Sequence, residues 1–194
     1  MQMPSLVLEG GAFRGVFTQG VLDALLEHTI MFPYVIGVSA GIANGYSYLS
    51  GQKGRNWQIA EDYYNDKRYY GYSNLRKEKS MFGLKFMFET VPNELVPFDY
   101  EALAAYEGTA LTGVTHAVTG APYYFPQDPA DRSNRNLRAS CSIPVFFPPV
   151  EIDGELYYDG GLADPIPVRK AIADGNEKHL IILTQPVGYR KTLS

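Results

Sequence analysis

Three short glycine-containing signatures hold the residues of this chain that could do chemistry. In Gly37-Val38-Ser39-Ala40-Gly41 a β-branched run, Tyr34, Val35, Ile36 and Val38, precedes the serine, while Ile42, Tyr46 and Leu49 recur at helical spacing after it. The change of period at Ser39 predicts a tight strand-to-helix turn of the Gly-x-Ser-x-Gly type, a nucleophile elbow. Gly37 and Gly41 have a steric reason to be there, since strand and helix approach too closely at such a turn for side chains. The serine would stand at a helix N-terminus, whose partial positive charge favours the alkoxide. The five-letter pattern alone also fits an ordinary Gly/Ser turn, so the weight falls on what accompanies it.

The second signature is Glu9-Gly10-Gly11-Ala12-Phe13-Arg14-Gly15, set between the apolar run Ser5 to Leu8 and apolar residues at helical spacing from Val16 to Leu26. A strand, glycine loop and helix in this order leave backbone N–H groups open to an anion, either a nucleotide phosphate or the oxyanion formed when a serine attacks a carbonyl. The dinucleotide fingerprint fails at Ala12, where a third-position glycine is needed, and no Lys-Ser/Thr pair follows Gly15 to make a phosphate-binding P-loop. The oxyanion reading is favoured, with Gly10, Gly11 and Ala12 as candidate donors; a purely structural turn is the alternative. Arg14 either steers an anionic headgroup or is pinned structurally beside the loop, and the structural role is preferred.

A nucleophilic serine needs a base, and the chain offers three histidines. His28 closes the first helix and His179 opens the last strand, so both fall on the edge of a parallel sheet opposite the carboxyl ends where sites lie. His116 lies inside a strand. The third signature, Asp159-Gly160-Gly161, does end a strand, the one returning from the hairpin turn Asp153-Gly154. A free aspartate, with a pKa of ~3.9, is a weak base toward a hydroxyl, but burial raises it. The expectation is a Ser-Asp dyad: Asp159 takes the Ser39 proton, returns it to the leaving alkoxide, then activates water to release the acyl group.

The elements that must position these groups follow in order along one domain of 194 residues, with no internal repeat or linker. From Gln52 to Phe88 the apolar residues are mostly aromatic, and eight Lys and Arg stand against four Asp and Glu in a chain whose net charge is -4. This basic insertion reads as a lid that meets a lipid surface or as a helical cap packed on its own aromatics, with the cap slightly favoured. Asp99 is a candidate N-cap for a short helix; Leu111 to Val118 and Tyr123 to Phe125 pair as a hairpin. Ala139-Ser140-Cys141-Ser142 leads into Ile143-Pro144 and Phe146-Phe147-Pro148-Pro149, a rigid apolar loop suited to wall a pocket. Asp164-Pro165 signals a helix start, and Leu180 to Leu183 a last buried strand.

Nothing in the charge balance calls for nucleic acid. Cys141 is the one cysteine, so no intrachain disulfide forms. Without a basic leader or an apolar run of ~18 residues, the expected location is cytoplasmic, with peripheral membrane contact through residues 52–88.

Taken jointly and in order, the loop Gly10 to Gly15 with Arg14, the elbow Gly37 to Gly41 and Asp159-Gly160-Gly161 resemble the patatin-like phospholipases, lipid acyl hydrolases with a Ser-Asp dyad. The likeness runs from about Ser5 to the end and is strongest to compact bacterial members. It implies a three-layer α/β/α sandwich with a mostly parallel central sheet, Ser39 as nucleophile, Asp159 as base, and hydrolysis of acyl lipids with no metal or cofactor. Two departures stand out: Ala12 replaces a glycine common among relatives, and longer relatives continue with C-terminal helices. Alternatives are an esterase or thioesterase on soluble acyl groups, or a non-catalytic lipid-binding protein.

Overall fold

The computed structural model describes residues 4–186 and 188–190. Its strands are β1 (Ser5–Leu8), β2 (Tyr34–Val38), β3 (Thr109–His116), β4 (Pro122–Pro126), β5 (Val150–Ile152), β6 (Glu155–Asp159) and β7 (His179–Ile182). The α-helices are α1 (Gly15–Glu27), α2 (Ala40–Leu49), α3 (Arg55–Tyr63), α4 (Tyr72–Glu78), α5 (Tyr100–Ala104), α6 (Arg135–Ser140) and α7 (Val168–Ala173). One sheet in the order β5-β6-β3-β2-β1-β7 holds them together, and β4 also pairs with β3. Strands β3, β2, β1 and β7 run parallel, whereas β4 and the β5–β6 hairpin are antiparallel.

Fully buried strands such as Ser5–Leu8 and Tyr34–Val38 require helices on both faces, and their alternation assigns the faces. Leu6, Leu8 and Val35 pack with Leu22 of α1, Ile42 of α2 and Leu103 of α5. Val7 and Ile36 point the other way, onto Ala171 of α7. The result is the α/β/α layering expected.

Strand β3 organises the site. Its residues 109–113 pair with β2 and 114–116 with β6, while β4 occupies 111–115. Because a residue offers one partner per edge, β4 takes one edge, and β2 and β6 share the other. They meet there end to end: Val38, the last residue of β2, is opposite Gly113, and Asp159, the last of β6, is opposite Val114. Two strands running in opposite directions thus bring their carboxyl ends together on one ruler.

Two glycines permit this convergence. A Cβ at Gly41 would stand 2.5 Å from the Glu9 carbonyl oxygen, where α2 crosses the end of β1. One at Gly160 would stand 2.3 Å from the Gly113 carbonyl, where β6 leaves β3. The turn of the β5–β6 hairpin places Asp153 at φ 54° and Gly154 at φ 84°, the left-handed pair that a two-residue hairpin turn needs.

Elsewhere the sequence signals shift. Asp99 caps α5, its carboxylate accepting from the Ala102 N–H at 2.8 Å. Asp164-Pro165 does not open α7, which begins at Val168; the Asp164 carboxylate instead accepts from the Tyr124 hydroxyl at 2.6 Å. The polar stretch ending at Arg138 and the small residues Ala139 and Ser140 form α6. Phe86–Leu95 is a π-helix that contains Pro92 and runs past the expected end of the insertion at Phe88. Proline removes one N–H from the ladder, and a π turn accommodates the gap.

Candidate active site

Ser39 occupies the turn between β2 and α2 at φ 53°, ψ −130°, a conformation that costs of order 1–3 kcal/mol outside glycine and persists only when surrounding structure holds it. That hold is visible. The Ser39 N–H donates to the Ser140 hydroxyl at 2.8 Å, and Ser140, fully buried, donates in turn to the Gly113 carbonyl at 2.6 Å. The Ser39 hydroxyl donates to Oδ2 of Asp159 at 2.7 Å. On the other side of that carboxylate, Oδ1 accepts the Gly161 N–H at 2.7 Å. The Asp159 backbone is fixed as well, its N–H donating to the Ser142 carbonyl and its carbonyl accepting from the Thr115 hydroxyl at 2.8 Å.

Both side chains are buried, Ser39 6% and Asp159 5% exposed. Burial pushes the Asp159 carboxyl above the usual carboxylate range, and the hydrogen bonds from Ser39 and Gly161 pull part of the way back. A carboxylate in that position is a stronger base than one in water, and it already holds the hydroxyl proton it would remove.

Gly10 lies against the elbow; a Cβ there would be 3.4 Å from that of Ser39. Its N–H, however, donates to the Pro165 carbonyl at 3.3 Å. Of the three donors expected from the sequence, Gly10 is therefore engaged by the fold, and no protein acceptor is found among the described residues for the N–H groups of Gly11 and Ala12. Ala12 sits at φ 47°, where alanine costs roughly 1 kcal/mol more than glycine. Thr184 braces this loop: its N–H donates to the Glu9 carboxylate and its hydroxyl lies 2.9 Å from the Gly10 carbonyl. Gly15 packs on Ala40 and accepts, through its carbonyl, from Asn44 at 3.1 Å. With the Gln185 amide oxygen turned toward it, Arg14 donates from Nε and Nη2 at 3.2 and 3.1 Å.

The histidines are used elsewhere. His179 Nδ1 is 2.7 Å from the Ser5 hydroxyl, His116 bonds Glu155 and Thr119, and His28 ends α1. Among the described residues no group of three or more His, Cys, Asp or Glu side chains is arranged to hold a metal ion.

A cavity of about 410 Å³ opens beside Ser39, with a mostly apolar lining that also includes Asn44, Arg55 and Asn56. Ile59, Met87, Phe88 and Leu137 contribute to its walls. Around its lining stand apolar residues left in solvent: Phe13 57%, Tyr64 51%, Phe146 52% and Val16 49% exposed. Phe13 and Tyr64 meet edge to face at 5.1 Å, joining the glycine loop to the insertion. The insertion has two sides: Ile59, Tyr63, Tyr69 and Phe86 pack inward, while Trp57, Tyr70, Tyr72 and Leu75 are exposed. The Pro/Phe loop does wall the cavity, through Ile143, Phe146 and Phe147. Cys141 lines it too, its thiol pushed up by burial first and by the Asp159 charge second.

Ser140, Thr115, Thr184 and Glu9 were not among the expected site residues. Their partners are 27 or more positions away or backbone atoms, so only the small-residue run around Ser140 carried any signal. Replacing Ser140 by alanine would strand the buried Ser39 N–H and Gly113 carbonyl, at about 1–3 kcal/mol for each group left unpaired. The expected result for Ser140→Ala is a lower urea midpoint and a kcat reduced about tenfold or more with KM little changed, since the group acts by positioning Ser39.

The chain is also similar to known proteins. The family model for Patatin-like phospholipase matches residues 6–172. The protein YjjU of Escherichia coli is 28% identical over 187 residues, covering 94% of this chain and 52% of its own length. A protein named probable lipid hydrolase 463L, from Invertebrate iridescent virus 6, is 25% identical over 194 residues, with 90% of this chain and 65% of the relative covered. Among solved structures, VipD from Legionella pneumophila superposes with a TM-score of 0.47 at 15% identity, covering 84% of this chain and 47% of that one. The chain spans about half the length of the first curated relatives it matches.

Proposed function

The chain belongs to the patatin-like phospholipase family, and from that premise we propose that it hydrolyses acyl esters of lipids through an acyl-enzyme on Ser39, with Asp159 as the base. The observation that carries the proposal is the 2.7 Å hydrogen bond from the Ser39 hydroxyl to a buried Asp159 carboxylate at the wall of an apolar cavity.

Asp159 accepts the hydroxyl proton as Ser39 Oγ attacks the ester carbonyl. The N–H groups of Gly11 and Ala12 receive the oxyanion, each such donor being worth about 3 kcal/mol in comparable sites. Protonated Asp159 then delivers its proton to the leaving alkoxide, and the acyl group remains on Ser39 with its chain in the cavity. Water attacks the acyl carbon, losing its proton to the same carboxylate, and Asp159 passes that proton to Ser39 Oγ as the C–Oγ bond breaks and the acid leaves. An acyl cavity does not depend on the leaving group, so esters and thioesters of soluble alcohols and thiols remain the second reading.

Contact with a lipid surface is the feature that separates the two. Phe13, Tyr64 and Phe146 are exposed beside the cavity, and Val145, next to Phe146, is 98% exposed at φ 75°, an uncommon conformation for a β-branched residue. No helix among the described residues is long and apolar enough to cross a membrane, so the proposed contact is peripheral. The test is rapid mixing with a short-chain p-nitrophenyl ester, followed by turnover of monomeric and vesicle-bound phospholipid. A burst equal to the enzyme concentration is expected, with faster turnover above the concentration at which substrate aggregates. Absence of a burst and of any Ser39-dependent turnover would overturn the hydrolase reading; turnover indifferent to aggregation would favour soluble acyl substrates.

A further inference from the structure

The cavity beside Ser39 has an inner end of a different character from its walls. Ala40, Ala43 and Asn44 of α2 line it, the i, i+3, i+4 stripe of one helix face, and the next residue on that stripe is Ser47. Eight residues separate Ser39 from Ser47, so the stripe runs ~12 Å along the helix axis. Small side chains border its first turn, and the second turn ends in a polar cluster. Ser47 donates to Asn56 Oδ1 at 2.9 Å, and Asn56 Nδ2 donates to Asn44 Oδ1 at 2.9 Å. Arg55 closes the group, with Nη1 3.3 Å from the Ser47 hydroxyl, Nη2 donating to the Val96 carbonyl at 2.8 Å, and its guanidinium 5.1 Å from the centre of the Phe98 ring.

Arg55 forms no ion pair with a carboxylate among the described residues, and burial brings its pKa down to about 10, which still leaves it charged at neutral pH. It also lines a second hollow, of about 590 Å³, with Gly51, Lys53, Gln58, Val96 and Pro97. Its side chain is thus the partition between an apolar channel and a polar, open recess. An acyl chain that grows toward it gains apolar contact at every carbon until its methyl end reaches the guanidinium. Further growth would strip water from a charge and give nothing back.

We infer that Arg55, with Asn44 and Asn56 and held from behind by Ser47, forms an end-wall that measures the acyl chain, selecting lipids whose acyl group is of medium length. An extended chain of ~1.5 Å bonds at tetrahedral angles advances ~1.25 Å per carbon, so the ~12 Å run accepts about ten carbons. The inference rests on the acyl-hydrolase reading for its substrate, but the wall itself is tested by binding.

The experiment compares wild type, Arg55→Ala and Ala43→Leu in two assays: calorimetric binding of saturated fatty acids, and hydrolysis of the matching p-nitrophenyl esters. For the wild type, affinity should rise up to about fourfold per added methylene and level off near ten carbons. Arg55→Ala opens the partition, and the rise should continue past that length, raising the preference for a chain of about sixteen carbons over one of about ten by at least tenfold. Ala43→Leu fills the channel one helical turn from Ser39, and the plateau should move down to about five carbons. If Arg55→Ala does not fold by circular dichroism, Ala43→Leu decides alone. A wild-type series with no plateau, or a plateau that no folded variant moves, overturns the end-wall even where Ser39-dependent ester hydrolysis persists. A plateau that moves as stated in protein that hydrolyses no ester upholds the wall and sinks the hydrolase reading.

Discussion

Replacing Ser39 with alanine is expected to lower ester turnover by about 10⁵-fold or more while the protein still folds. The size follows from the role: without Oγ there is no acyl-enzyme, and what remains is binding and the N–H groups of the glycine loop. The fold should survive because alanine keeps the Cβ, so the strained turn at φ 53° is neither relieved nor worsened, and the Ser39 N–H still reaches Ser140. One bond is lost, the donation to Asp159. Circular dichroism and an unfolding free energy from urea titration within about 1–2 kcal/mol of wild type, measured beside kcat, check both halves. An unaltered rate would mean that the observed hydrolysis comes from another group.

Asp159→Asn is the second large effect, with an expected loss of about 10³- to 10⁴-fold in kcat/KM. Asparagine fits the same space, with Oδ1 still accepting from the Gly161 N–H and Nδ2 turned as a donor toward the Ser39 oxygen, but it takes no proton. The wild-type rate should rise with pH along a limb set by Asp159, displaced above the ordinary aspartate value because burial disfavours the charge. That limb should vanish in the variant. Stability runs the opposite way. The folded carboxyl binds its proton more tightly than the unfolded one, so the contribution of Asp159 to stability falls as pH rises from ~4 through the raised folded value. Above that range the wild type holds a buried charge that the amide variant lacks, and the variant should equal or exceed it in urea midpoint. A variant less stable at pH 7 than at pH 4 by the same margin as wild type would argue against a perturbed Asp159.

How much of this was legible beforehand differs by element. Ser5–Leu8 and the Asp153-Gly154 turn could be read because short apolar runs and left-handed turn residues act over two to five positions. The pairing of Ser39 with Asp159 across 120 positions could be suspected from residue types, yet nothing local states that β2 and β6 share an edge of β3. Asp164-Pro165 has the local form of a helix start, and tertiary structure overrode it by giving the Asp164 carboxylate to Tyr124. Gly10 likewise looked open as a donor, and only the approach of Pro165 closes it. Arg55 carried no signal beyond membership of a basic segment, because its importance comes from where the end of α2 meets the stretch at Val96 and Pro97.

The head-on meeting of β2 and β6 also sets the stage at which the paired site can exist. Strands β1, β2 and the first half of β3 carry Ser39, but Ser140 on its N–H, Thr184 beside the glycine loop and Asp159 all come later in the chain. Asp159 arrives only when the β5–β6 hairpin docks on Val114 to His116, and that hairpin leaves the ribosome more than a hundred residues after the elbow. In the proposed mechanism, Ser39 therefore stays without its base until that hairpin has docked. On the same proposal, fragments that stop short of residue 159 carry the serine without its base.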